Sequence, residues 1–307
     1  MMFSEFLKEL EQKEIEISFS GGKIVYSGPE ENITPALIGR LKEYKRDFIK
    51  YYWPDECKNM ISVNSEGSKI PYIFFECLDL SRLISNTIGP DQPIYEFHNN
   101  SWTTGERFAH DNMESLARDY INQLKIILPD GPYILGGHSF GGTLAYEMAV
   151  QLQKLGNEVP LIVLFDSMSP DLFEPFNRQK NILSIFKVIF KMTVTKLMNF
   201  VRISVYQIYF RFREFLPEKF WRNYVLTNYH ILLYRYRPEK LNVNILLFKA
   251  HNESSIYKYD NGWGSLNSKL KIVEFEGDHL SIFKKIENIE IMSIEIEKYL
   301  DYIRKKN

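Results

Sequence analysis

The chain has little cysteine and no excess of charge of either sign. Its 307 residues contain two cysteines, Cys57 and Cys77, without a Cys-x-x-Cys pair or a His/Cys cluster. This usage excludes a disulfide scaffold, argues against a structural zinc site and fits a reducing, cytoplasmic compartment. The formal net charge of -1 gives no electrostatic reason to expect a nucleic-acid partner.

Signals for export and for membrane insertion are also missing. The N-terminal stretch "MMFSEFLKELEQKE" carries acids and lacks a basic segment followed by an apolar core, so we expect no signal peptide. The apolar stretch 182–210 is interrupted by Lys187, Lys191, Lys196 and Arg202, which leaves no run of about 18 uncharged apolar residues. We expect helices that cover another part of the protein and no membrane partner, with an interfacial contact as the alternative.

The first fifty residues form a pattern of their own. Apolar residues at helical spacing begin at Phe3, alternation from Ile15 to Tyr26 surrounds a Gly21-Gly22 pair, and Thr34 precedes a helix that begins with Pro35. The pattern predicts an α-β-β-α unit with a Gly-Gly hairpin turn. So short a unit makes a thin core and leaves a strand edge uncovered. It is either a decoration packed on the main domain or a docking module that adds a partner peptide as an extra strand.

The order and spacing of this segment, "LKELEQKEIEISFSGGKIVYSGPEENITPALIGRLKEYK", resemble the small N-terminal docking domains of the tubulysin-synthetase type. The resemblance implies a docking domain over residues 1–53. Its partner would be the C-terminal tail of a synthetase subunit.

Beyond residue 54, apolar strands alternate with amphipathic helices. "ISVNSEGSKIPYIFFE" predicts a hairpin-like start, and "PIYEF", "YILGG", "PLIVLFDS", "VNILLFKA" and "LKIVEFEG" predict strands. Continuous apolar strands separated by helices predict a mostly parallel sheet covered on both faces. About 65 helical residues interrupt the alternation after Pro170, and a helix over about 286–303 closes it.

One turn in this pattern carries a chemical signal. "GPYILGGHSFGGTLAYEMA" places Ser139 within Gly137-His138-Ser139-Phe140-Gly141, between a strand and a helix. This is the context of a nucleophile elbow, in which neighbouring glycines leave room for a sharp turn. The helix N-terminus favours negative charge, and the Phe140 N–H would be one oxyanion donor.

A serine nucleophile needs a base, and the base needs an orienting acid. Asp166 ends the strand "PLIVLFD" and His279 follows the last apolar strand, so both should emerge at the same sheet edge as Ser139. The chain order serine, acid, histidine is that of an α/β-hydrolase. Asp278 is a rival for the acid, whereas His138 lies inside the elbow and faces the wrong way to serve as base.

The span from about Met60 to Ile303 resembles the type I thioesterase domains of nonribosomal peptide and polyketide synthetases. The resemblance lies in "GPDQPIY", "GPYILGGHSFGGTLAYEMAVQLQKLG", "LIVLFDS" and "GDHLSIF". It implies an α/β-hydrolase domain over 54–307 with a lid at about 170–238, and a catalytic triad of Ser139, Asp166 and His279. It implies no cofactor of its own, because the substrate is carried on the phosphopantetheine arm of a carrier protein.

One loop departs from this family's pattern. The family follows its first core strand with His-Pro or His-Gly and further glycines, whereas here "IFFE" runs directly into "CLDLSRLISNTIGP". The backbone N–H of Glu76 or Cys77 would have to supply the second oxyanion donor, and losing a donor costs on the order of 10²–10³ in turnover.

Three functions follow from these patterns. The first is a trans-acting thioesterase or acyl-transferring serine hydrolase that releases chains by hydrolysis, cyclisation or transfer. The second is a catalytically impaired recruitment protein of the same fold, suggested by the altered loop. The third is a general esterase, which would leave the N-terminal unit unexplained.

Overall fold

The computed structural model describes residues 3–20, 23–44, 48, 59–64, 67–77, 80–170, 182–251 and 259–306. The N-terminal elements follow the predicted α-β-β-α order: α1 (Phe3–Gln12), β1 (Glu16–Ser20), β2 (Lys23–Ser27) and α2 (Pro35–Glu43). Strands β1 and β2 pair antiparallel from Glu16 opposite Ser27. The Gly21-Gly22 turn and Cys57 lie outside the described residues.

The N-terminal helices bury a small core of their own. Its members are apolar side chains from both helices, the start of the hairpin and the segment after α2: Phe6, Leu10, Ile15, Leu37, Leu41 and Phe48. The Thr34 hydroxyl caps α2 by accepting from the Leu37 N–H at 3.2 Å, as predicted from the Thr-Pro sequence. Among the described residues, the N-terminal sheet has two strands.

A seven-stranded sheet forms the centre of the rest of the chain. The strands are β3 (Met60–Asn64), β4 (Tyr72–Phe75), β5 (Ile94–Phe97), β6 (Ile134–His138), β7 (Leu161–Phe165), β8 (Asn244–His251) and β9 (Leu270–Glu276). Their spatial order is β3-β5-β4-β6-β7-β8-β9. Only the β3–β5 pair is antiparallel, so the predicted mostly parallel sheet is confirmed.

The hairpin predicted for β3 and β4 is wrong. Strand β5 lies between them, antiparallel to β3 and parallel to β4. The Ser65-Glu66-Gly67 turn signal in this stretch predicted a reversal of the chain, and β3 and β4 do run in opposite directions. Ser65 and Glu66 lie outside the described residues. The paired strand is set by burial, because β5 has four buried residues that need neighbours on both sides.

Helices cover both faces of the sheet. They are α3 (Leu80–Ile88), α4 (Met113–Ile127), α5 (Phe140–Lys154), α6 (Ile182–Tyr209), α7 (Glu218–Arg235) and α8 (Ile286–Lys306). Strand residues alternate between two cores: Ile73 and Phe75 face the core shared with α4, α5 and α7, whereas Tyr72 and Phe74 face the core shared with α3 and α8. This period of two follows from the alternation of side chains along a strand.

From residue 182 onwards, where the structure describes it, the interruption after Pro170 consists mainly of the two helices α6 and α7, in keeping with the predicted helical insert. Helix α7 packs on the core through Tyr224, Val225, Tyr229 and Leu232. Within the described ranges, no helix combines the length and apolarity needed to cross a membrane.

Candidate active site

The candidate nucleophile Ser139 stands at a sharp turn between β6 and α5. It has a positive φ of 53° with ψ of -113° and occupies the N-cap position of α5. A side chain on Gly137 would overlap the backbone of Gly141, and one on Gly141 would overlap the carbonyl oxygen of Phe75. The glycines are therefore required by close backbone approach, as the elbow interpretation predicts.

Backbone contacts fix the Ser139 peptide on both sides. Its N–H donates to the Phe165 carbonyl at 3.0 Å, and its own carbonyl accepts from the Ser167 hydroxyl at 2.7 Å. The Gly142 N–H also donates to the Ser139 carbonyl, at 3.3 Å. The N–H groups of Phe140 and Gly141, which begin α5, have no intrahelical acceptors, so partial positive charge collects at this turn.

Asp166 and His279 meet at the same edge of the sheet. Asp166 follows β7, and its Oδ2 lies 2.6 Å from Nδ1 of His279, which follows β9. The other carboxylate oxygen accepts from the Ala250 N–H at 3.0 Å. The Asp166 side chain is 12% exposed and that of His279 is 43% exposed. A carboxylate at Nδ1 favours the tautomer with the proton on Nδ1, which leaves Nε2 able to accept a proton.

His138 connects the elbow to the loop of His279. The two imidazole rings are 4.5 Å apart, and His138 Nε2 lies 3.2 Å from the carbonyl oxygen of His279. Burial, with the neighbouring His279, lowers the pKa of His138 to about 4, so at neutral pH this ring is uncharged and donates from Nε2. His138 therefore holds the loop of His279 in place beside the elbow.

The rival acid Asp278 has a different set of partners. Its carboxylate accepts from the N–H groups of Leu280 at 2.9 Å and Ser281 at 2.9 Å. These hydrogen bonds lower its pKa. Asp278 shapes the loop that carries His279, and the carboxylate on the imidazole belongs to Asp166.

Of the two predicted alternatives for the second oxyanion donor, one is engaged elsewhere. The Glu76 N–H donates to the Phe97 carbonyl at 3.1 Å, within the sheet. The N–H of Cys77, whose thiol is buried, donates to no acceptor among the residues that the structure describes. Phe140, the first residue of α5, presents its N–H at the elbow. Phe140 and Cys77 therefore stay the candidate donors.

The side chains around this loop were not singled out from the sequence. Glu76 has a positive φ of 53°, and its Oε1 accepts from the Tyr229 hydroxyl at 2.6 Å and the Asn99 N–H at 2.9 Å. Tyr229 comes from α7, and its ring stacks flat on Phe140 with centroids 3.7 Å apart. Glu76 could have been singled out, because a glutamate stands where the family has His-Pro or His-Gly. The sequence around Tyr229 contains no feature that distinguishes it.

No group of three or more His, Cys, Asp or Glu side chains in the described part of the chain is arranged to hold a metal ion.

Two profiles of known families match the chain. The thioesterase domain profile matches residues 90–297, and the TubC N-terminal docking domain profile matches residues 4–53. The chain belongs to the thioesterase domain family, and it carries a docking domain of the TubC type at its N-terminal side.

Curated relatives are similar over parts of the chain. Thioesterase pytI from Aspergillus terreus is 40% identical over 89 residues, which are 29% of this chain and 27% of that protein. A dimodular nonribosomal peptide synthase from Bacillus subtilis is 38% identical over 92 residues, 30% of this chain and 4% of that protein. Malpibaldin synthetase from Mortierella alpina is 41% identical over 78 residues, 25% of this chain and 1% of that protein. The chain thus spans about a quarter or less of these relatives.

Solved structures share the fold. A four-domain nonribosomal peptide synthetase, AB3403, matches with a TM-score of 0.58 and 24% identity over 78% of this chain and 20% of that one. The NocB thioesterase domain, solved as a covalent complex with a fluorophosphonate nocardicin G analogue, matches with a TM-score of 0.56 and 20% identity over 78% of this chain and 99% of that one. The fold that these structures share with the chain is the α/β-hydrolase fold.

Proposed function

We propose that this chain is a trans-acting thioesterase that takes acyl or peptidyl chains from the phosphopantetheine arm of a carrier protein. Ser139 is the nucleophile, His279 the base and Asp166 the acid that orients it. The observation that carries the proposal is the 2.6 Å contact between Asp166 and His279 beside the positive-φ turn of Ser139.

The acylation step gives each of these groups a defined role. Nε2 of His279 takes the Ser139 proton as the serine oxygen attacks the thioester carbonyl carbon. Asp166 stays ionised and stabilises the resulting imidazolium. The N–H groups of Phe140 and Cys77 donate to the oxyanion of the tetrahedral intermediate. When the carbon–sulfur bond breaks, His279 returns its proton to the departing pantetheine thiolate and an acyl-enzyme is left on Ser139.

Release of the chain reverses the proton transfers with a second nucleophile. Water gives a free acid, an internal amine or hydroxyl gives a ring, and another carrier or amine gives transfer. Each nucleophile loses a proton to His279 as it attacks the ester carbon, and Ser139 regains that proton as it leaves. The lid helices α6 and α7 would decide how much water reaches the ester.

The N-terminal unit supplies recruitment in this proposal. We divide the chain into a docking domain, 1–53, and a thioesterase domain, 54–307, because the N-terminal helices bury a separate core and match a docking profile. The hairpin would receive the C-terminal tail of a synthetase subunit as an added strand. Docking raises the effective concentration of the enzyme at the carrier. We propose that the reaction takes place in the cytoplasm, which the low cysteine content supports.

The loop after β4 supports a second candidate, a recruitment protein with impaired chemistry. Its glutamate stands where the family has His-Pro or His-Gly. A general esterase would have the same proposed triad, but this function would not explain the presence of residues 1–53.

Intact-mass spectrometry tests the chemistry. Wild type, Ser139→Ala and the control Ser115→Ala, a serine of α4, are incubated with acyl-loaded carrier protein and with small acyl thioesters. We expect an acyl adduct on wild type and Ser115→Ala and none on Ser139→Ala, and the product mass identifies the releasing nucleophile. Absence of adduct and turnover with the cognate carrier would favour the recruitment protein.

Deletion of residues 1–53 tests recruitment. We expect turnover of the cognate carrier to fall while turnover of small thioesters stays near wild type, which also shows that the remaining domain folds. Equal losses on both substrates would contradict docking and indicate a structural role for these residues.

A further inference from the structure

The loop opposite the elbow is held by a side-chain bridge. Glu76 directly follows β4, and Tyr229 lies in helix α7 of the proposed lid, 153 residues further along the chain. The Tyr229 hydroxyl donates to Glu76 Oε1 at 2.6 Å, and its ring lies parallel to Phe140, with centroids 3.7 Å apart and planes at 2°. One tyrosine therefore touches both sides of the candidate oxyanion site.

Tyr229 is itself fixed from several directions. Its hydroxyl oxygen accepts from Trp102 Nε1 at 3.1 Å, and the rings of Trp102 and Phe108 meet its ring edge-on. The residue is 4% exposed. A tyrosine with a donor, an acceptor and three ring contacts has little freedom to change rotamer, so it can fix the positions of what it touches.

Glu76 is fixed in the same way. The Asn99 N–H donates to the carboxylate oxygen that Tyr229 also contacts. The Glu76 N–H is paired with the Phe97 carbonyl, and its φ of 53° turns the chain towards Cys77. The direction of the next peptide, which contains the Cys77 N–H, is therefore set by both the backbone and the side chain of Glu76.

We propose that Glu76 and Tyr229 are positioning residues that set the spacing of the two oxyanion donors and tie that spacing to the seating of lid helix α7. This inference rests on the proposed function, since it assigns the Phe140 and Cys77 N–H groups to the oxyanion. Family members with glycines in this loop can shape it by backbone conformation, whereas this chain uses a bridge to the lid. The two oxyanion donors therefore reach their proper spacing only when helix α7 is packed in place.

The ionisable groups around the bridge agree with its hydrogen bonds. Burial, and then the nearby Glu76, raise the pKa of Tyr229 well above its usual range, so Tyr229 keeps the proton that it donates. Burial raises the pKa of Glu76, with Glu96 adding to the rise and His98 opposing it. The buried Tyr120 also faces this carboxylate, which contributes to the raised pKa of Tyr120.

The test uses the full-length chain with Tyr229→Phe and a matched control, Tyr224→Phe. Tyr224 lies on the same helix and is also 4% exposed, and its hydroxyl accepts from the Phe108 N–H at 2.7 Å. Both variants lose one buried hydroxyl, so a merely structural role predicts equal effects. We expect kcat on a small thioester to fall about 10-fold or more for Tyr229→Phe, since misplacing an oxyanion donor loses part of its contribution. We expect an unchanged KM and near wild-type kcat for Tyr224→Phe.

Glu76 variants complete the experiment. Glu76→Gln keeps an oxygen that accepts from Tyr229 and Asn99, so it should retain most of kcat, whereas Glu76→Ala should match Tyr229→Phe. The double variant Tyr229→Phe/Glu76→Ala should lose no more than the worse single variant, because both break one bridge. Additive losses, or equal losses in Tyr229→Phe and Tyr224→Phe, would overturn the proposal.

A second readout separates this inference from the proposed function. The rate at which a fluorophosphonate labels Ser139 depends on the oxyanion donors and requires no thioester substrate. If wild type labels rapidly but turns over no thioester, the proposed function fails while the ranking of labelling rates still tests the bridge. If all variants label at the wild-type rate, the bridge has no positioning role, whatever the substrate.

Discussion

The two sides of the Ser139 turn are held by different means. On the elbow side, backbone meets backbone: Gly137 and Gly141 let β6, α5 and the end of β4 approach within a distance that no side chain would permit. On the opposite side, the loop after β4 is held by the side chains of Glu76 and Tyr229. Local steric contacts therefore determine the shape of the elbow, whereas the loop depends on a contact with helix α7.

The two sides also respond to pH in opposite directions. His138, in the elbow, has a pKa lowered to about 4, so the unfolded chain binds a proton before the folded chain does as pH falls. Glu76, in the loop, has a raised pKa, so the folded chain binds a proton first. By linkage, acid destabilises the folded protein through His138, and higher pH destabilises it through Glu76.

The largest expected effect comes from breaking the elbow with Gly141→Ala. The added methyl group would overlap the Phe75 carbonyl, so β4 and α5 must separate. We expect a large fall in melting temperature or no recoverable folded protein, and no labelling of Ser139 by a fluorophosphonate.

The control for this variant is Gly39→Ala in helix α2, where an added Cβ meets nothing within 4 Å. There the substitution should be neutral or stabilise the N-terminal helix by up to about 1 kcal/mol. A Gly141→Ala protein with wild-type melting and labelling would show that the close approach is not needed.

Asp166→Asn is expected to have the next largest effect. The amide can hold His279 in the wrong tautomer, and the same change in a serine-protease triad costs about 10⁴ in kcat. Asp278→Asn is the control, because that residue caps the loop backbone and should cost less than about 10-fold. Thioester turnover and melting temperature measure both, and a larger kcat loss in Asp278→Asn would assign the acid to Asp278.

His138→Phe tests the acid side of the pH comparison. Wild type should lose stability as pH falls from about 6.5 to about 4, by on the order of 3 kcal/mol from this group. In the variant, the free energy of unfolding should lack this part of its dependence on pH. At pH 7 it should be lower than that of wild type by about 1 kcal/mol, because the hydrogen bond to the His279 carbonyl is lost. Denaturant unfolding at a series of pH values measures both, and parallel curves for the two proteins would contradict the assigned pKa.

Glu76→Gln tests the other side and should give the smallest change. Wild type loses stability as pH rises through the raised pKa of Glu76, because the ionised carboxylate is buried. The glutamine side chain cannot ionise. The melting temperature of the variant minus that of wild type should therefore be more positive at pH 8 than at pH 5. A difference that is independent of pH, or of the opposite sign, would show that Glu76 titrates normally in the folded protein.

The difference between the two sides also explains what the sequence could predict. The elbow is a contiguous segment of strand, glycines, serine and helix, so its geometry can be predicted from residues that are neighbours in the sequence. Asp166 and His279 were predictable because each directly follows an apolar strand of a parallel sheet. The Glu76–Tyr229 bridge joins residues 153 apart, and no periodicity or spacing connects them. The position of β5 between β3 and β4 was missed for the same reason, since a turn signal does not identify the paired strand.

The sheet order has a consequence for how the chain is made. Ser139 and Asp166 directly follow neighbouring strands, whereas His279 follows the last strand of the sheet, 113 residues after Asp166. At a synthesis rate of about 5–20 residues per second, a ribosome would spend on the order of 10 s extending a chain that already holds Ser139 and lacks His279. Nascent chains would thus carry Ser139 before its proposed base, and the proposed thioester cleavage would become possible only when β9 joins the edge of the sheet.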